Sequence, residues 1–345
     1  MFFLYLCNKI KFAMKEINEH NLKLLRHRFC EDSGCPVQVL VDPYFIERLS
    51  LFNKEFGYFD YYQKYYKFVY DNYNSIEEFL ESYHSLRDRI IEKVSNSDAY
   101  KEFLADEKIT KEIKSYTPVI GNVNLYTQEQ VKEGENYFLA FDMKKANFQT
   151  LKWINPAIVC DCKTYDEFIH GFTDMDIAAN SKRTREIIFG KLNPNRTTKY
   201  EKILMGIVEE AIRKTEVTKW FDLFSLNNDE VIYKLKPGLS YKDAINACEK
   251  YISEENINII TGMDVRMEFF ELVCYQFKTS ASDKIMNVFV KLHSNGKKEY
   301  KCANEIYFPQ TYKLINGLEI TENDLVFYYD KTELAKFFNP IELIK

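Results

Sequence analysis

Two apolar, β-prone runs end on acids, and this pairing constrains the fold more than any other feature of the chain. The first reads Tyr137-Phe-Leu-Ala-Phe-Asp142-Met-Lys-Lys-Ala-Asn147-Phe148, and the second Phe221-Asp-Leu-Phe-Ser-Leu-Asn-Asn-Asp229-Glu230-Val-Ile-Tyr233. If the runs are neighbours in one sheet, Asp142 and Asp229 stand side by side. Two such acids can hold two divalent cations about 3.5–4 Å apart, the arrangement used for in-line phosphoryl transfer. Taken singly, each acid has a plainer reading, because Asp after a strand and Asn-Asp between strands are both ordinary turn signals.

The surrounding pattern fixes the class. Residues from about 14 to 115 read as helical, with an apolar face at Leu22, Leu24, Leu25 and Phe29 and a break at Gly34-Cys-Pro36. Ile76, Phe79, Leu80, Tyr83, Leu86 and Ile90 continue helical spacing behind a Ser75 N-cap. The chain has 27 Phe and 25 Tyr against 11 Gly. The aromatic stripe over 44–73 suits a helical core better than a base-stacking platform, since the spacing alone accounts for it. After the first acid come a basic helix at Ser181–Phe189, an amphipathic helix at Thr197–Thr215, the Asp229 strand and its return Val231–Leu235, and a helix at Ser240–Ile252. Strands are expected at Met267–Tyr275, Ile285–Leu292, Tyr300–Phe308 and Asp324–Tyr329, with an Asn295-Gly296 hairpin turn and a closing helix at Thr332–Phe338. This order predicts an α+β fold. It divides into a helical, aromatic-rich region over 1–116, a central antiparallel sheet with helices on one face over 117–275, and a C-terminal β-rich extension over 276–345.

Composition narrows the function classes. With 47 basic and 52 acidic residues the net charge is −5, which argues against tight nonspecific grip on nucleic acid but leaves room for a local basic channel. The apolar start Met1–Cys7 is interrupted by Asn8, Lys9 and Lys11, too early for a membrane span, and Met14 offers a second start. A cytoplasmic location with reduced thiols and no membrane partner is the expectation. Abundant Lys, Asn, Ile, Tyr and Phe point to an AT-rich coding genome, as in many viruses. Cys30-x4-Cys35 and Cys160-x-Cys162 do not make a zinc-finger set. His170 and His293 read as ordinary satisfied or turn-proximal histidines.

Over 137–275 the sequence resembles the palm of template-directed polymerases, family A DNA polymerases above all and, more distantly, reverse transcriptases and viral RNA polymerases. Asp142 follows an apolar strand, as that family's first metal-binding acid does. Tyr165-Asp-Glu-Phe-Ile-His-Gly-Phe-Thr-Asp-Met-Asp176-Ile is similar to the family's segment ending in Asp-Ile-His. Arg185 stands four before Phe189-Gly190, like the basic residue of the family's nucleotide-binding helix, and Asn228-Asp229-Glu230 resembles its His-Asp-Glu turn. The chain departs from the pattern at Ser181, at Asn228, in lacking Tyr-Gly after Phe189-Gly190, and in having only 40 positions between Phe189 and Asp229, too few for full fingers.

The resemblance implies a nucleotidyltransferase in which Asp142 and Asp229 hold Mg2+ or Mn2+, with Glu230 as an accessory catalytic carboxylate. Lys182, Arg183 and Arg185 would neutralise a nucleoside triphosphate, Phe189 would lie against the incoming base, and Arg196 and Lys199 would meet nucleic-acid phosphates. Two other readings stand beside it. One is a catalytically inactive palm relative acting as a binding or assembly subunit. The other is an unrelated viral structural protein, with partner contacts through the C-terminal extension. Asn147, five residues after Asp142, lies where palms contact the nucleotide sugar. Its small, hydrogen-bonding side chain predicts incorporation of rNTP in an extension assay that supplies rNTP and dNTP separately, whereas exclusive use of dNTP would contradict that role.

Overall fold

The computed structural model describes residues 19–36, 41–42, 44–132, 134–279, 284–329 and 333–344; Met1–Cys7 and Met14 lie outside them. Among the described residues six helices come first: α1 (Glu19–Ser33), α2 (Phe45–Phe56), α3 (Tyr58–Asn72), α4 (Ile76–Asn96), α5 (Asp98–Ala105) and α6 (Glu107–Ser115). The Ser75 hydroxyl accepts the Glu78 backbone N–H and caps α4, as the sequence predicts. Gly57, at φ 68°, ends α2 in the left-handed conformation and lets the chain turn straight into α3. The aromatic stripe is core. Phe29, Tyr62, Tyr65, Phe79 and Tyr83 meet edge to face, with centroids 5.0–5.9 Å apart.

The sheet then begins with β1 (Tyr137–Met143). Six helices follow: α7 (Ala146–Ile154), α8 (Tyr165–His170), α9 (Asp176–Asn180), α10 (Lys182–Lys191), α11 (Pro194–Arg213) and α12 (Val217–Trp220). The hairpin of β2 (Phe221–Leu226) and β3 (Glu230–Leu235) leads through α13 (Tyr241–Tyr251) and α14 (Glu254–Thr261) to β4 (Val265–Lys278), β5 (Ile285–His293) and β6 (Lys298–Cys302). The strand order is β2-β3-β1-β4-β5-β6, and every pairing is antiparallel. The first four strands with their helices form a split βαβ unit, with β1 inserted between β3 and β4.

Side-chain alternation along β1 divides its work. Leu139, Phe141 and Met143 join the large core shared with the helices. Phe138 and Ala140 join a smaller core on the other face with Ile232, Phe270, Leu272 and Phe289, covered by Leu125 and Tyr126. Burial on both faces explains why β1 reads as an unbroken apolar run up to Asp142.

The C-terminal part differs from expectation. The boundary expected at 275 falls inside the 14-residue β4, and β5 and β6 extend the same sheet. The strand expected over Tyr300–Phe308 stops at Cys302, and Pro309 opens α15 (Phe308–Ile315). The helix expected at Thr332–Phe338 is replaced, at Leu334–Lys336, by a strand, β8, that pairs with β7 (Val326–Tyr328). Phe337 fixes that choice by stacking on Phe327 and Tyr307, at centroid distances of 4.3 and 4.6 Å. A last strand, β9 (Glu342–Leu343), returns to β4.

Arg48, buried on α2, ties the two ends of the chain. Its guanidinium donates to the carbonyls of Asn323 and Val326 at 2.6 and 2.7 Å. Arg48→Ala would leave these half-buried carbonyls without their donor and is expected to lower unfolding free energy by roughly 1–3 kcal/mol, measured by denaturant titration; a loss under about 0.5 kcal/mol would show that the C-terminal segment docks without it.

Candidate active site

Register brings the opening acids together. Asp142 lies directly opposite Glu230 of β3 on one side and Arg266 of β4 on the other. Directly opposed residues in antiparallel strands have Cα atoms about 4.5–5.5 Å apart. Asp229 occupies the β2–β3 turn, where its carbonyl accepts the Met143 N–H at 2.7 Å. Asn227 N–H donates to the Glu230 carbonyl at 2.8 Å and closes the turn. Asp142, Glu230, Arg266 and Glu268 share the sheet face turned away from the large helical core, by the two-residue alternation.

The electrostatics are crowded. Burial pushes Asp142 up to about 6; Arg266 opposes this, while the charges of Glu230, Asp229 and Glu268 add to it. Glu230 is also raised, by burial first, against the pull of Lys291. Two protein cations partly balance the acids. Arg266 Nη2 stands 3.1 Å from Asp142 Oδ2, and Lys291 Nζ stands 3.5 Å from Glu230 Oε1 and 4.6 Å from the Phe270 ring centroid. Carboxylates at a partly exposed sheet end offer the hard oxygen donors that divalent cations take, although the oxygens of Asp142, Asp229 and Glu230 do not all lie within 4.8 Å of one another.

A further acid was not anticipated from the sequence. Glu201 lies buried on α11, on the same face as Leu204, Met205 and Val208. Burial and the charge of Asp229 push it up to about 7, while the Asn147 amide, donating to its Oε1 at 2.6 Å, opposes the rise. Asn147, on the first turn of α7, is therefore engaged with Glu201. An acid on the apolar stripe of an amphipathic helix was the available signal.

The basic residues divide into separate groups. Arg185 and the unanticipated Lys145 both lie over the ring of Tyr165, at 5.9 and 4.9 Å from its centroid. Burial and the Arg185 charge lower the Lys145 pKa. Lys145 lies two residues past the β1 end, held at φ 53° as the residue before α7. Lys182 and Arg183, expected beside Arg185, instead line a 690 Å3 cleft with Cys30, Cys35, Tyr58 and Tyr300. Lys182 also pairs with Glu186 at 3.7 Å. Phe189, expected against a base, is 3% exposed and packs near Tyr165, because it lies on the apolar face of α10 with Ile188. Arg196 donates to Thr110 Oγ1 at 2.9 Å and the Asp106 carbonyl at 2.7 Å, so α6 already holds the guanidinium expected on phosphate. Lys199 is exposed on the next turn. His170 bonds the Asp166 carbonyl and Asp176, and the seven described cysteines form no disulfide with one another.

In comparisons with known proteins, the chain matches no family model, and neither a curated protein nor a solved structure proved significantly similar to it. Among the described residues no helix is long and apolar enough to cross a membrane.

A carboxyl whose folded pKa is raised favours the folded state while protonated, and that contribution fades as pH climbs from the unfolded value toward the folded one. For Glu201 the window runs from the ordinary carboxylate value, 4.5, to about 7. Glu201→Gln mimics the protonated form and keeps an acceptor for Asn147. In chelator-treated protein it is expected to raise stability at pH 8 by about 1–3 kcal/mol, with the gain vanishing below pH 5; equal stability of both proteins at pH 8 would contradict the burial argument.

Proposed function

We propose that the chain is a divalent-metal-dependent nucleotidyltransferase, a compact template-directed polymerase acting on nucleoside triphosphates and nucleic acid. The observation that carries this reading is the pairing of Asp142 with Glu230, with Asp229 in the adjoining turn. The residues fit Mg2+ or Mn2+: Asp142 and Asp229 offer hard oxygen ligands, with Glu230 in reserve, and their mutual repulsion helps hold Asp142 up at about 6. Bound there, a pair of such ions would activate a 3′-hydroxyl and neutralise the leaving pyrophosphate. Lys145 and Arg185 are the cations best suited to the triphosphate, since both stand near the β1 end and neither has an ion-pair partner among the described acids. Glu201 keeps Asn147 oriented through their hydrogen bond. Lys199 remains available to a template phosphate, whereas Arg196 would have to exchange its bonds to Thr110 and Asp106.

A second reading is favoured by Arg266 and Lys291. Their ammonium and guanidinium groups sit against Asp142 and Glu230 where the metals would bind. If they stay there, the sheet is an inactive relative of a palm that serves in binding or assembly. The exposed Tyr329 and Phe338 near the C-terminal hairpin suit a protein partner for such a subunit.

Primer extension with Mg2+ or Mn2+ separates the two. The first reading expects product from the wild type, background only from Asp142→Asn and Asp229→Asn, and a KM for triphosphate raised roughly tenfold or more in Arg185→Ala. No extension by the wild type on either DNA or RNA templates favours the second. Extension that persists in both Asp variants sinks the site assignment.

A further inference from the structure

His293 ends β5 opposite Phe270 on the sheet face that carries Asp142. Its side chain is only 2% exposed, and Nε2 has no hydrogen-bond partner. Glu268 precedes Phe270 by two residues on β4, and Glu299 of β6 lies opposite Lys291, two residues before His293. Alternation therefore puts both carboxylates on the face of the imidazole. Nδ1 stands 4.0 Å from Glu268 Oε1 and Nε2 3.6 Å from Glu299 Oε1, both beyond hydrogen-bond length. One donor atom from each of the three residues lies within 4.8 Å of the others.

We propose that Glu268, His293 and Glu299 form a zinc-binding site, one strand removed from the Asp142 carboxylates. The buried Nε2 stands 3.6 Å from Glu299 Oε1, too far for a hydrogen bond of ordinary length, and a metal held between the two would satisfy it better. One nitrogen and two carboxylate oxygens suit Zn2+, whereas Mg2+ prefers an all-oxygen shell. Bonds of about 2.0–2.2 Å require the donors to draw together by roughly 1 Å. Glu299, 37% exposed at the edge strand β6, has the freedom to make that movement. Arg266 and Lys297 contact Glu268 and Glu299 at 3.2 and 2.5 Å and compete with the metal for them. The three ligands leave a fourth position open, the composition of zinc sites that bind water or a substrate oxygen.

Chelator-stripped protein titrated with Co2+, then with Zn2+ in competition, tests the site. Optical spectra separate it from the cysteines, because thiolate ligation adds an intense charge-transfer band that nitrogen and oxygen ligands lack. In Asp142→Asn, which removes the carboxylate site proposed above, one Co2+ per chain is expected, with visible ligand-field bands and no thiolate band, displaced by Zn2+. In that background uptake is expected to weaken at least tenfold on adding His293→Ala or Glu299→Gln and to stay unchanged on adding Glu319→Gln, an exposed acid outside both sites. Glu299 is partly exposed, so Glu299→Gln with an unaltered circular-dichroism spectrum decides the matter if His293→Ala fails to fold. No uptake at micromolar metal, thiolate bands alone, or equal uptake with and without Glu299→Gln would overturn it and leave the trio as a polar cluster that holds the strands in register.

Discussion

The antiparallel register of β1 between β3 and β4 is the constraint on which the rest depends. It sets Asp142 opposite Glu230 and Arg266 and brings Asp229 to the next residue along. A slip of one residue would turn Asp142 into the helical core and Phe141 out of it. The two-sided burial of β1 guards against this, because Leu139 and Phe141 anchor one face and Phe138 and Ala140 the other. Packing, not any polar contact, fixes where the acid stands.

Around that fixed point lies an unsettled charge balance. Asp142, Asp229, Glu230, Glu201 and Glu268 crowd the sheet end, and two of them are raised to about 6 and about 7. Arg266 and Lys291 offset part of the repulsion. A divalent ion would offset it more completely, at the cost of moving two side chains. The half-exposed Arg266 can swing away readily. Lys291, buried against the Phe270 ring, is the more committed of the two. Whether this site works as an enzyme or as a binding surface turns on that exchange.

Much of this was legible in the sequence. The α+β class, the acid-ended strands, the Ser75 cap and the Asn295-Gly296 turn follow from local pattern, and the structure has each. What escaped was set by tertiary contact. Helical spacing at Thr332–Phe338 yielded to a strand, β8, because Phe337 stacks between Phe327 and Tyr307. The basic helix α10 reads as one patch, yet the turn of about 100° between successive residues sends Lys182 and Arg183 to a cleft and Arg185 to Tyr165. Phe189 lies buried because the apolar face of α10 turns inward. Glu201 and Lys145 join the site from elements whose proximity no motif announces, and His293, unremarkable beside a turn in sequence, is nearly sealed in the fold.

The most direct test of the central claim is a crystal structure of the protein grown with Mn2+ and a nonhydrolysable nucleoside triphosphate analogue, read by anomalous scattering. The account predicts manganese bonded to carboxylate oxygens of Asp142 and Asp229, with Arg266 displaced from Asp142. Arg266 and Lys291 still seated on Asp142 and Glu230, with no anomalous peak between the strands, would contradict it.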